Sequence, residues 1–171
     1  MKQILALITL LTVGLVSAQT ITAKSSKTTV NGTSSVHDWT MTANAATFVG
    51  TVSGNAISNV KLVIAAKNLK SEKGSMMNNK AYKALKADAQ PNITFTAASL
   101  PVGKTNVSGR LTIAGVTKAI SLPVNVVKNG NSYNITGSET VKMSDYGMET
   151  PGFLGVHTGD AVTVTVNVVA N

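Results

Sequence analysis

The chain has no cysteine, a single arginine, a single tryptophan, two histidines and seven acidic residues in 171. Each shortage removes a class of protein. Without cysteine there are no disulfides, no thiolate metal sites and no lipid anchor on a cysteine behind a leader. One arginine and an aromatic content of 4% leave little to grip phosphates or stack on bases, so no nucleic-acid partner is expected. A histidine lies near a carboxylate only at His37-Asp38 and His157/Asp160, and the chain has no Gly-x-Ser-x-Gly elbow. Neither pair has metal-ligand spacing. No enzyme, metal or cofactor is expected.

The only long apolar run is at the start. Lys2 precedes Ile4–Val16, interrupted by Gly14, and Val16-Ser17-Ala18 offers a small-residue cleavage site before Gln19. This reads as a secretory signal over residues 1–18, too short for a membrane span. Residues 19–171 then form one exported domain, periplasmic or secreted and soluble. The formal charge of +8 comes from lysines scattered along the chain. That serves solubility, or favours transient contact with an anionic membrane surface.

Alternation dominates what remains. Val107, Leu111 and Ile113 share one parity, and Ile120, Leu122, Val124 and Val126 resume it after Ala114-Gly115-Val116-Thr117. This is a hairpin with one buried face, and the length of its break predicts a type I turn with a bulge. Pro123 is expected at an edge, a bulge or a lapse in pairing. Trp39/Met41/Ala43, Phe48/Gly50/Val52, Val60/Leu62/Ile64, Ile93/Phe95/Ala97, Tyr133/Ile135/Gly137 and Val162/Val164/Val166/Val168 alternate likewise. Residues 20–30 suggest one or two short strands broken near Ser25-Ser26, and Asn31-Gly32 signals a turn. The period changes only over Ser75–Ala87, where Met77, Ala81, Ala84 and Leu85 share a helical face. Ser75 is the expected N-cap, Lys80, Lys83 and Lys86 lie on the polar side, and Pro91 closes the segment. About eight antiparallel strands and one helix must close as a barrel or stack as a sandwich. The inserted helix favours a barrel capped at one end.

Four motifs carry a resemblance. Ser35-Val36-His37-Asp38-Trp39-Thr40, Pro91-Asn92-Ile93-Thr94-Phe95, Gly109–Lys118 and Ser144-Asp145-Tyr146-Gly147-Met148 occur in the order found in the YceI-like, polyisoprenoid-binding family. Together they cover essentially the whole mature chain. The resemblance implies a closed eight-stranded antiparallel barrel, lipocalin-like in shape, around a channel for an isoprenoid or quinone-like lipid. Residues of apolar parity would line it: Trp39, Met41, Phe48, Leu62, Ile64, Phe95, Leu111, Ile113, Leu122, Val124, Ile135 and Val164. Met77, Ala81 and Leu85 would form a lid, and His37, Arg110 and Ser144 would meet the head group at the mouth. One departure stands out. The family's helical segment often starts Asp-x-His and carries a Phe near its end, where this chain has Met76-Met77-Asn78-Asn79-Lys80 and Leu85. The alternative is a non-enzymatic structural or interaction domain of the cell envelope, its core filled by side chains; its oligomeric state is left open by the sequence.

Overall fold

The computed structural model describes residues 18–153 and 155–171, so all of the predicted leader except Ala18 lies outside the described residues. The strands are β1 (Gln19–Ser34), β2 (Trp39–Ala43), β3 (Thr47–Ser53), β4 (Ala56–Ala65), β5 (Lys70–Ser71), β6 (Asn92–Pro101), β7 (Gly103–Ile113), β8 (Val116–Asn129), β9 (Ser132–Lys142), β10 (Gly152–Phe153) and β11 (Val156–Ala170). One helix, α1 (Ser75–Ala84), falls between β5 and β6. All described pairings are antiparallel, and β11 returns to pair with β1, closing the sheet. β2 and β3 lie end to end along β1, with Thr28–Gly32 facing β2 and Gln19–Thr22 facing β3. Counting them as one, and β5 and β10 as short flaps, gives a closed barrel of eight strands and one helix. The barrel is chosen over the sandwich.

Most of the alternation survives as burial, while the local punctuation does not. β1 is one continuous strand that absorbs the expected break as a shift in register between Ala23 and Ser25. The turn expected at Asn31-Gly32 is absent, because these residues pair with Thr40 and Trp39. A Cβ on Gly32 would lie 2.2 Å from Trp39 Cζ2, so this glycine makes room for an indole. The β7–β8 connection is also shorter than expected. Ile113 pairs with Val116, leaving only Ala114 and Gly115, both left-handed at φ 49° and 83°. Positive φ at both central positions is the primed geometry that matches strand twist. The Ala114 methyl is buried, which offsets its backbone strain. Pro123 pairs across to Asn106 and sits where pairing with β9 ends, at Val124–Gly137.

The helix is shorter than the predicted 75–87. Gly74 (φ 91°) takes the N-cap position in place of Ser75, which is the first helical residue. At the other end Lys86 turns left-handed (φ 52°) and the Ala87 N–H donates to the Tyr82 carbonyl at 2.9 Å. That closure of the last turn ends the helix before Pro91 can. The side chains of Leu85 and Ala87, just beyond the helix, are buried.

Two apolar clusters line the barrel. One, around Ile21, Phe48, Ile57, Val107, Val126, Tyr133 and Val168, packs the end away from the helix. The other, around Met41, Ile64, Leu69, Leu85, Ile113 and Tyr146, lies under the helix. Leu62 and Leu111 pack against both.

Candidate functional site

Between and through these clusters runs an apolar cavity. All twelve residues expected to line a channel do line it, from Trp39, Met41 and Phe48 to Ile135 and Val164. So do Met77, Ala81, Ala84 and Leu85 on the helical side. The cavity offers about 200 Å³ to the centre of a water-sized sphere. β11 borders it from Thr158 to Val168. At about 3.3 Å per residue and a strand tilt of about 40°, that is roughly 25 Å along the barrel axis. Spreading the volume over this length leaves sphere centres a radius of roughly 1.6 Å, and adding the water radius of about 1.4 Å gives a bore of roughly 3 Å radius, wide enough for one hydrocarbon chain.

The three expected mouth residues are not brought to this cavity. His37 lies in the β1–β2 turn, outside any strand, so sharing Trp39's parity gives it no inward direction. Ser34 Oγ donates to the His37 carbonyl at 2.6 Å and accepts its N–H at 3.1 Å, folding the turn outward. Arg110 has the solvent-facing parity of β7 and is exposed. Ser144 is occupied structurally. Its N–H and Oγ donate to the two carboxylate oxygens of Asp160, at 2.7 and 2.5 Å. Those bonds, the side chain's first, hold the Asp160 carboxyl below its ordinary pKa. They also pin the short turn Ser144–Tyr146, whose buried tyrosine reaches the cavity. Burial, and secondarily Asp145, pushes the Tyr146 hydroxyl up.

The lysines expected together on the polar side of the helix divide. Lys83 and Lys86 are exposed, but Lys80 is half-buried and borders the cavity. The helix itself is tied to the barrel by two polar side chains. Tyr82 Oη shares its single proton between the Lys67 and Leu69 carbonyls, each at 3.0 Å, and accepts from Lys70 Nζ at 2.8 Å. Asn78 Oδ1 accepts the Ser71 N–H at 2.7 Å.

Four polar residues that border the cavity, Thr28, Ser71, Glu139 and Thr158, escaped the sequence reading, and two of them stand out. Thr28 is 2% exposed and its Oγ1 has no partner. Glu139 is half-buried on the inward face of β9, with no hydrogen bond or ion pair among the described residues. The signal for Glu139 was available: it continues the parity of Tyr133, Ile135 and Gly137. Among the described residues no His/Asp/Glu cluster suits a metal ion, and no helix is long and apolar enough to cross a membrane.

Comparison with known proteins agrees with this geometry. The family model for the YceI-like domain matches residues 17–170. Burkholderia cenocepacia BcnA is similar at TM-score 0.71 and 20% identity, over 85% of this chain and 96% of that one. A polyisoprenoid binding domain from Saccharophagus degradans, implicated in plant cell wall breakdown, is similar at TM-score 0.72 and 16% identity, over 88% and 97%. The Campylobacter jejuni YCEI protein is similar at TM-score 0.59 and 21% identity, over 73% and 80%. No curated protein sequence matches.

Proposed function

This chain belongs to the YceI-like family, and from that premise we propose that its barrel binds an amphipathic isoprenoid lipid, of polyprenyl or quinone type, outside the cytoplasm. The single observation that carries the reading is the hollow interior: a long cavity, chain-wide and apolar almost throughout, in place of a packed core. A barrel of eight strands can be filled by its own side chains or can hold one small ligand, and this one leaves the space. The rival, a structural domain with a filled core, requires ordinary packing there.

Tail burial supplies the affinity, at roughly 0.8 kcal/mol per CH₂. About twenty buried carbons already approach the non-covalent ceiling of about 18–21 kcal/mol. Tail length is therefore selected by the space available. The role is one of holding or carrying, with no chemistry at the lipid. A leader ending at Ala18 and a periplasmic or secreted site of action belong to the same proposal, and rest on the pattern of Lys2, the apolar run Ile4–Val16 and the small residues Ser17 and Ala18.

Delipidated protein exposed to a polar-lipid extract should recover a long-chain isoprenoid, identified by mass spectrometry. Recovery of no lipid, or of short fatty acids alone, overturns the reading.

A further inference from the structure

The barrel wall is incompletely paired on one side. β8 begins at Val116 and β9 ends at Lys142, yet the two pair only from Val124–Gly137 to Asn129–Ser132. Residues 116–123 of β8 thus face 138–142 of β9 without ladder pairing. Lys118 Nζ meets Asp145 Oδ1 at 3.1 Å and bridges the far end. A groove on the outer face, between Pro123, Asn125 and Ser138, shares Val124 and Gly137 with the interior cavity. Outside and inside approach each other here.

Glu139 stands on the rim of this gap. Its ladder partner on the other side is Val164 of β11. On the opposite flank of β11, Thr28 pairs with Val166. Two inward polar groups therefore flank β11 from its two sides, offset by two residues along it. Their backbones lie two strand spacings and two residues apart, roughly 12 Å. A buried hydroxyl without a partner calls for an explanation, because leaving it so destabilises the fold. A carboxylate in an apolar bore calls for one too.

We propose that Thr28 and Glu139 form the head-group subsite, at the side of the barrel beside the β8–β9 gap, and that it takes an uncharged, hydroxyl-bearing isoprenoid in preference to its phosphate ester. This rests on the isoprenoid reading and names the ligand class within it. The carboxylate of Glu139 accepts the ligand's hydroxyl proton, and Thr28 Oγ1 gains its missing partner. A phosphate would bring like charge against the Glu139 carboxylate. Lys80, the cation that borders the cavity, lies on the helix and is already engaged.

The test uses a polyprenol and the polyprenyl monophosphate of equal chain length, titrated into the delipidated protein and read by Trp39 emission. Wild type should hold the alcohol more tightly by on the order of a hundredfold. Glu139→Gln should narrow that ratio at least tenfold. Thr28→Val should weaken the alcohol several-fold, leave the phosphate unchanged and raise the Tm, which separates lost recognition from lost folding. Equal affinity for both lipids in wild type, or a ratio unmoved by Glu139→Gln, overturns the subsite while leaving the isoprenoid reading in place. Binding of neither lipid overturns both.

Discussion

Two glycines in this barrel are defined by the ring beside them. Gly32 lies against the Trp39 indole, and a Cβ on Gly109 would lie 2.4 Å from Phe95 Cε2 and 2.7 Å from the Thr96 carbonyl. Both rings line the cavity, so each glycine sets how far an aromatic can lean away from the bore. Gly109→Ala should destabilise by about 1–3 kcal/mol, the usual cost of overpacking, measured by denaturant unfolding. Gly32→Ala should displace the indole, break the 3.0 Å bond from Trp39 Nε1 to the Thr33 carbonyl and shift emission to the red. Unchanged emission would mean that the ring has room elsewhere. Asp160 carries the pH dependence. Its carboxyl titrates below the ordinary range, so its contribution is fully present above about pH 3.9 and is lost as pH falls through the lower folded value. Asp160→Asn should flatten this acid limb of a Tm-versus-pH curve and lower the Tm at neutral pH, where the wild-type contribution is fully present. Such residue roles were mostly hidden in the sequence: the parity placed Trp39 and Phe95 inward, but nothing local told that Ser144 was committed to Asp160.

Elements were legible where a period ran uninterrupted. Alternation in β4, β6, β7, β8, β9 and β11 gave the inward faces, and the 3.6-residue period found the helix. Turns were harder to read, because their signals depend on what packs against them. Asn31-Gly32 has turn composition, but an indole uses the glycine; Ala114 has none, but a buried methyl holds it left-handed. Head-group residues are hard to read from the sequence for a related reason. The expected mouth residues are polar residues of the motifs, whereas Thr28 and Glu139, which border the cavity, sit inside strands, Thr28 in a Thr-, Ser- and Lys-rich segment and Glu139 in line with an apolar parity. The helix shows what an element's few ties control. It buries no residue completely, and Tyr82 and Asn78 supply its polar anchors. Tyr82→Phe removes all three hydroxyl bonds and should cost about 1–2 kcal/mol locally. Amide exchange over residues 75–84 should quicken while the barrel strands keep their protection. Uniform acceleration throughout would show that the helix opens only with the whole fold.

At the scale of the molecule, scattered lysines and a hollow barrel combine in how a ligand would arrive. Lys83 and Lys86 stand exposed on the helical side, and lysines near an anionic bilayer contribute about 1 kcal/mol each, fading with salt. Lipid uptake from anionic vesicles should therefore slow at high ionic strength and in a Lys83→Gln/Lys86→Gln double variant. Uptake from neutral vesicles should respond to neither; equal rates throughout would remove the membrane contact. The seam between β1 and β11 has a different consequence. Thr22 and Asn171 exchange backbone hydrogen bonds at 3.1 Å in both directions, so the two ends of the domain lie side by side. The order in which the strands are strung is then separable from the barrel they make. A circular permutant joining Asn171 to Gln19 by a short glycine-serine link, and opened at Gly130, keeps every strand neighbour of the original. It should close the same wall around the same cavity, with β8 and β9 now held together by their six paired positions alone and no longer by a turn.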